Sequence, residues 1–432
     1  MTESHLDLHK DLGALWRRRF FASALLVLLV ALGISGSRSS QSTSSYGTIS
    51  QSTSSYQTIS QSTSSYRTIR YESPLWYGAA ITDLAFEPYG TSTFKEQFDL
   101  MSRATAVRIY LNYWAWRHDP TDNSLGLPYK RFLDEVADWC YVRGIKVVWS
   151  AHVFSRWGGN WDFDAKRTFL LTGQIDMPNI NNASENWTGG WEASCALYWA
   201  DYIHWVTEIV SRPKLQRAMG ALDIFNEPPW AVDWETRGPF QQKLEDRYIE
   251  FVRQSIDAVR NVVPNSRIVV EGIPFWYPGF FLIKSLNRTN IIYALHWYSS
   301  CDDPYANNWP QTLVARAYAE GRHVEGKQSI IQYLYRQFVG FFTLQDSGYP
   351  VFFSEVGTDS YKQETYWSKW MQDFYDICKE RRIGFIQHGF FYTPPPPYPH
   401  PDKPHWYLFG MLNSDLRGLN AVGRLWHDNL PS

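Results

Sequence analysis

Residues 221–229 read ALDIFNEPP and residues 349–357 read YPVFFSEVG. Each is a short apolar run closed by a glutamate, Glu227 or Glu355, at a Pro or Gly turn. Runs of this length between turn formers read as strands buried on both faces. Similar runs recur outward from these two, and the strand set is Trp76–Ile81, Ala106–Tyr110, Ile145–Ala151, Ala221–Phe225, Arg267–Glu271, Ile291–His296, Pro350–Ser354 and Gly384–His388. Helical patterns fall between them at Lys130–Arg143, Ala193–Val210, Phe240–Val263, Ser329–Phe342 and Thr365–Arg381. Eight strands alternating with helices predict an α/β chain folded as a (β/α)8 TIM barrel, a fold of about 250 residues before insertions. The surplus length is expected in long loops at 152–190, 297–327 and 389–410. Each follows a strand and so belongs to the C-terminal face, where such barrels build their sites. The PPPP run at 394–397 suits a loop and no central strand.

The chain has 432 residues, with 41 basic and 43 acidic side chains and a net charge of −2. That balance excludes nucleic-acid binding by bulk charge. A hydrophobic share of 44% against 19% charged excludes a disordered polyelectrolyte. Aromatic residues make up 17% of the chain, including 21 Trp, enough to serve both a core and stacking against the flat apolar faces of sugars. Four Cys with no C-x-x-C pair give neither a disulfide scaffold nor a zinc site.

The first seventy residues have another character. Arg17–Arg19 precede the apolar run FFASALLVLLVALGISG at 20–36. Its length and flanking charge predict a type II signal-anchor, or a cleaved signal peptide, with residues 1–19 as a cytoplasmic tail. Three copies of a ten-residue unit follow, QSTSSYGTIS, QSTSSYQTIS and QSTSSYRTIR, at 41–70. A Ser/Thr-rich repeat cannot bury enough apolar surface to offset its ordering entropy, so 37–73 reads as a disordered stalk carrying the barrel at 74–432. This organisation predicts the membrane as a partner and a barrel on the extracellular face or secreted. The sequons at Asn182, Asn186 and Asn287 would then be available for glycosylation.

A carboxylate at the C-terminal end of a barrel strand points into the mouth of the barrel. Two such groups facing one another can cleave a glycosidic bond, one protonating the leaving oxygen and the other attacking the anomeric carbon. Other strand ends carry matching chemistry: Val107-Arg108-Ile109, His152 closing KVVWSAH, Asn226-Glu227-Pro228, His296 and Tyr298 in ALHWYS, and Ser354-Glu355-Val356-Gly357. In these motifs and their order, most of 74–432 resembles glycoside hydrolase family 5, cellulase-like enzymes of the barrel clan. The resemblance implies Glu227 as acid/base, Glu355 as nucleophile, and Arg108, His152, Asn226, His296 and Tyr298 as site residues. One departure stands out. The family commonly has a Trp at the end of strand eight, where GFIQHGFF places Gln387 and His388.

The expected activity is a retaining glycoside hydrolase acting on a polysaccharide or oligosaccharide, β-glucan foremost, as a monomer. The alternatives are a transglycosylase using the same pair and an inactive carbohydrate-binding barrel. Arg108 and Tyr298 would hold Glu355 ionised, and Glu227 is expected to have a raised pKa from its carboxylate neighbour and burial. Retention requires carboxyl groups ~5–5.5 Å apart. Trp230, with Trp157, Trp161, Trp191, Trp234, Trp297 and Trp309, is a candidate sugar platform, and His388 a further substrate contact. Glu271, closing RIVVEG, reads as support behind the pair. No H-E-x-x-H helix or Cys cluster accompanies the histidines, so neither a metal nor a cofactor is expected. Cys195 and Cys301 could pair above the barrel, while Cys140 and Cys378 fall near its lower end.

Overall fold

The computed structural model describes residues 72–81, 94–121, 125–153, 163–176, 196–229, 239–272, 286–298, 310–335, 340–357, 366–389, 410–413 and 417–431. They lie within one compact unit, Thr68–Ser432. Eight parallel strands close into a barrel: β1 (Tyr77–Ile81), β2 (Ala106–Asn112), β3 (Lys146–Val153), β6 (Met219–Asp223), β7 (Ile268–Glu271), β8 (Ile291–Tyr298), β9 (Val351–Gly357) and β10 (Phe385–Gln387). A separate antiparallel pair, β4 (Gln174–Asp176) and β5 (Ala196–Tyr198), lies outside the barrel ladder. All eight strands read from the sequence are present, because residues buried on both faces leave long apolar runs.

Side chains from every barrel strand meet inside it: Ala80, Ala106, Tyr110, Val148, Ala221, Val269, Ile292, Ala294, Phe352 and Ile386, with Trp76 below them. Alanines face large rings, and Trp76 meets Phe352 edge to face at 5.6 Å. The larger core lies between strands and helices. Gly78 leaves no room for a side chain: an added Cβ would stand 1.7 Å from the carbonyl oxygen of Ala106 on the neighbouring strand.

Helix boundaries differ from the sequence reading at two places. The pattern at Ser329–Phe342 is divided into His323–Tyr335 and Phe341–Asp346, the second opening at Gly340 with a left-handed φ of 54°. The stretch expected as helix from Ala193 instead supplies β5, and the helix begins at Trp199, where Asp201 accepts from the Tyr198 backbone N–H at 3.3 Å. The segment 152–190, expected as loop, holds a helix at Phe163–Thr172 as well as β4. Likewise 297–327 holds the helix Pro310–Ala319.

The membrane reading is corrected. No helix among the described residues is long and apolar enough to cross a membrane. The longest, Pro239–Val262, is amphipathic, with Lys243, Asp246 and Glu250 exposed along one side. The run at 20–36, the tail before it and the stalk after it lie outside the described residues. The anchor, the membrane as partner and the extracellular or secreted location that rested on that run are therefore withdrawn. Cys195 and Cys301 also lie outside the described residues, whereas Cys140 and Cys378 are free and buried.

Gly78→Ala should lower stability by at least about 1–3 kcal/mol, since its methyl meets main chain instead of a movable side chain. Thermal or urea unfolding of the variant measures this. An unchanged midpoint would show that β1 and β2 can separate at no cost.

Candidate active site

Strand β9 presents Glu355 through a bulge. Its residues should alternate between lumen and helical layer. Phe352 faces the lumen and Phe353 the helices, so strict alternation would send Glu355 outward. The ladder skips a residue instead. Leu295 pairs with Phe353 but His296 with Glu355, and on the other side Phe385 pairs with Phe353 but Gln387 with Val356. Both neighbours therefore locate one extra residue in β9, a β-bulge at Ser354, which turns Glu355 inward beside His296.

Glu227 reaches the same place by another route. β6 ends at Asp223, before the expected Phe225, and the chain leaves the ladder through Ile224–Pro228. Asn226 N–H still donates to the Ala151 carbonyl at 3.4 Å. Glu227 has a left-handed φ of 50°, unusual for a residue before proline. Such a conformation costs on the order of 1–3 kcal/mol and persists only where its surroundings fix it. Here the Glu227 N–H donates to Glu271 Oε2 at 2.8 Å, and its carbonyl accepts from Lys166 Nζ at 3.1 Å.

The two glutamates meet across His296. Its Nδ1 lies 3.0 Å from Glu227 Oε1 and 3.3 Å from Glu355 Oε2, and its Nε2 lies 2.9 Å from Glu271 Oε1. A carboxylate oxygen of Glu227 and one of Glu355 lie within 4.8 Å of each other. Glu355 accepts from Arg108 and Tyr110 on Oε1 and from Tyr298 on Oε2. The guanidinium of Arg108, fully buried, also meets Asp223, Asn226 Oδ1 at 2.6 Å and Glu271 at 3.2 Å.

This packing decides where protons sit. Burial alone would lower the pKa of His296. The charges of Glu271 and Glu355, with the hydrogen bonds that the ring donates to Glu227 and Glu271, outweigh it and push the group up to about 10. Burial alone would raise Glu227, but the hydrogen bond and charge of His296 and the charge of Lys166 take it below the usual carboxylate value. The expected upward shift of Glu227 is thus reversed: a cation, which the sequence did not place, stands between the two carboxylates. Burial lifts Glu271 although His296 and Arg108 pull it down. Burial also lowers His388, against the carboxylates Glu355 and Glu227.

The structure brings Arg108, Asn226, Glu227, His296, Tyr298 and Glu355 together. His388 joins them from the end of β10, its Nδ1 3.1 Å from the Tyr110 hydroxyl and its ring stacked on Tyr110 at 6.1 Å. Tyr110 has one proton and spends it on Glu355, so its oxygen accepts from His388 and Nδ1 carries the hydrogen. His152 lies on β3, one residue before its end. Trp230, Trp157, Trp161, Trp191, Trp234 and Trp309 lie outside the described residues. Trp297 is corrected: it is buried in β8, pointing away from the lumen, and packs on Tyr333 at 4.9 Å, so it offers no platform. Sequence reasoning missed Tyr110 and Lys166. Tyr110 stands two residues after Arg108 and so faces the same side, a signal that the strand period alone could have given. The oxygen and nitrogen atoms of Glu227, His296 and Glu355 are close enough to offer a cation three ligands, but Arg108 and the tyrosine hydroxyls already occupy Glu355.

Residues 72–388 match the family model described as Cellulase (glycosyl hydrolase family 5). A search of curated proteins returns no match. Among solved structures, the catalytic domain of the major endoglucanase from Xanthomonas campestris pv. campestris is 15% identical with a TM-score of 0.55, over 83% of this chain and 94% of that one. A hyperthermophilic endocellulase from Pyrococcus horikoshii is 14% identical with a TM-score of 0.54, over 83% and 93%. At these identities the likeness is one of fold.

The raised His296 pKa carries a stability consequence. A group raised from 6.5 to about 10 on folding stabilises the folded chain fully below 6.5, and that contribution is lost as pH rises through about 10. Between these values the melting temperature should fall more steeply for the wild type than for His296→Gln. Scanning calorimetry across that window checks it, and parallel slopes would place the imidazolium elsewhere.

Proposed function

Because the chain belongs to glycosyl hydrolase family 5 and is therefore an O-glycosyl hydrolase, we propose that Glu355 and Glu227 form a retaining pair cleaving a β-glucan. The observation that carries this reading is the approach of their carboxylate oxygens to within 4.8 Å. Inverting enzymes hold their carboxyl groups ~6.5–9.5 Å apart to admit a water between, whereas retaining ones hold them ~5–5.5 Å apart.

In the first step a Glu355 oxygen bonds to the anomeric carbon as the bond from that carbon to the leaving oxygen breaks. The leaving oxygen takes a proton from Glu227. Glu227 is held low by its neighbours, and protonated His296, its Nδ1 3.0 Å from Glu227 Oε1, is placed to pass it the proton that it then delivers to the leaving oxygen. In the second step water attacks the anomeric carbon, its proton goes to Glu227, and the bond to Glu355 breaks. Arg108, Tyr110 and Tyr298 hold the attacking carboxylate ionised and oriented. Asn226 is 2% exposed; its Oδ1 is bound by Arg108 and its Nδ2 lacks a partner among the described residues. A buried donor left open in this way suits the sugar 2-hydroxyl, a bond that strengthens in the transition state. His388 and Tyr298, edge to face at 6.0 Å, would border the sugar at the cleavage point, with His152 and Trp230 as further contacts.

Glu355→Ala should nearly abolish turnover, and azide should restore part of it with a product of inverted configuration. Glu227→Ala should lose ~10²–10⁴-fold on unactivated glycosides and far less on activated aryl glycosides, which need no proton. NMR of the first product of the wild type should show the β anomer. An α product from the wild type would refute retention.

A further inference from the structure

Lys166 lies in the helix Phe163–Thr172, following β3, and is 1% exposed. A buried ammonium is costly unless it is paired and hydrogen-bonded. This one reaches the main-chain carbonyl of Glu227 at 3.1 Å and stands 4.0 Å from Glu227 Oε2. It therefore touches both the strained peptide that aims the side chain and, at ion-pair range, the carboxylate itself. The opposite end of that residue is held by Glu271 on the Glu227 N–H. Clamped at N–H and carbonyl, a left-handed glutamate before proline has little freedom to relax.

We infer that Lys166 is a positioning residue for Glu227: it fixes the left-handed backbone that points the acid/base at the cleavage point, and its charge favours the carboxylate formed when the proton leaves. This rests on Glu227 being the acid/base. When the leaving oxygen takes the proton, Glu227 goes from neutral to anionic, and a fixed cation 4.0 Å from one of its oxygens stabilises that state. The ammonium is itself perturbed. Burial lowers it to about 8 against the pull of Glu227, Glu271, Glu355 and Asp223, so the four carboxylates sense its charge in common.

The test uses the full chain with Lys166→Met, Lys166→Gln and Lys166→Arg beside Glu227→Ala. Each is assayed on an activated aryl β-glucoside and on an unactivated β-glucan oligosaccharide. Lys166→Met should lose ~10-fold or more in kcat/KM on the unactivated substrate and less than ~3-fold on the activated one. The basic limb of its kcat/KM profile should move to higher pH, because removing a nearby cation strengthens the hold on the acid's proton. Lys166→Gln, which keeps a donor to the carbonyl without the charge, should show the limb shift with a smaller rate loss. Lys166→Arg should leave the limb in place. A lysine needed only for packing would lower activity on both substrates alike and leave the limb unmoved, and that result overturns the inference. If Lys166→Met does not fold, the Gln and Arg variants decide by the same limb. Selective loss in Glu227→Ala together with unaltered Lys166 variants would sink this inference alone. Equal loss on both substrates in Glu227→Ala would sink the acid/base reading as well.

Discussion

A single buried guanidinium ties the barrel mouth together. Arg108 starts on β2 and reaches Glu355 at β9, Asp223 at the end of β6, Asn226 just beyond it, and Glu271 at the end of β7. Residues from three other strand ends thus converge on one planar cation. Its forked donors fix where each acceptor must stand, which a lysine in its place would not do. Such a cation is tolerated without water only because anionic and carbonyl oxygens surround it. Removing it would leave buried carboxylates uncompensated.

Charge bookkeeping around that cation explains the protonation pattern. Among the described residues, Asp223, Glu227, Glu271 and Glu355 face Arg108, Lys166 and His296. With all four carboxylates ionised, a neutral imidazole would leave the group at two net negative charges in a region of low dielectric. Taking up a proton is the cheapest correction, and His296 is placed between three of the carboxylates to receive it. The same placement explains why proximity to Glu355 does not raise Glu227. The like charge is present, but a cation lies nearer than the rival carboxylate.

Legibility in the sequence followed burial and periodicity. The barrel strands could be read because each is built on a short apolar run, and Asn226, Glu227, His296, Tyr298 and Glu355 could be read because polar groups close or follow such runs, whereas Arg108 stood out as a charge inside one. Gly340 gave no warning that it would divide a continuous helical pattern, since a glycine's left-handed backbone leaves no trace in hydrophobic spacing. Lys166 escaped notice because it falls in 152–190, which reads as a loop, where a lysine beside Arg167 is ordinarily solvated. Tyr110 enters the reading only as the last residue of the strand Ala106–Tyr110. The apolar run at 20–36 reads as a span by composition and lies outside the described residues, among which no helix is long and apolar enough to cross a membrane.

The bulge at Ser354 has a consequence for how this protein can change over generations. It is defined by a count of residues along β9, between Phe353 and Glu355, more than by what the extra residue is. Replacing the serine side chain alters one long contact, Oγ to Glu271 at 3.4 Å, and leaves the count intact. Losing one codon there would remove the bulge and restore strict alternation, with the glutamate following Phe353 directly, still facing the lumen and still opposite His296. The bulge thus absorbs one residue of length without moving the attacking group out of the barrel mouth. In aligning this chain with relatives, a one-residue gap at Ser354 would mark the loss of the bulge and leave the glutamate in register.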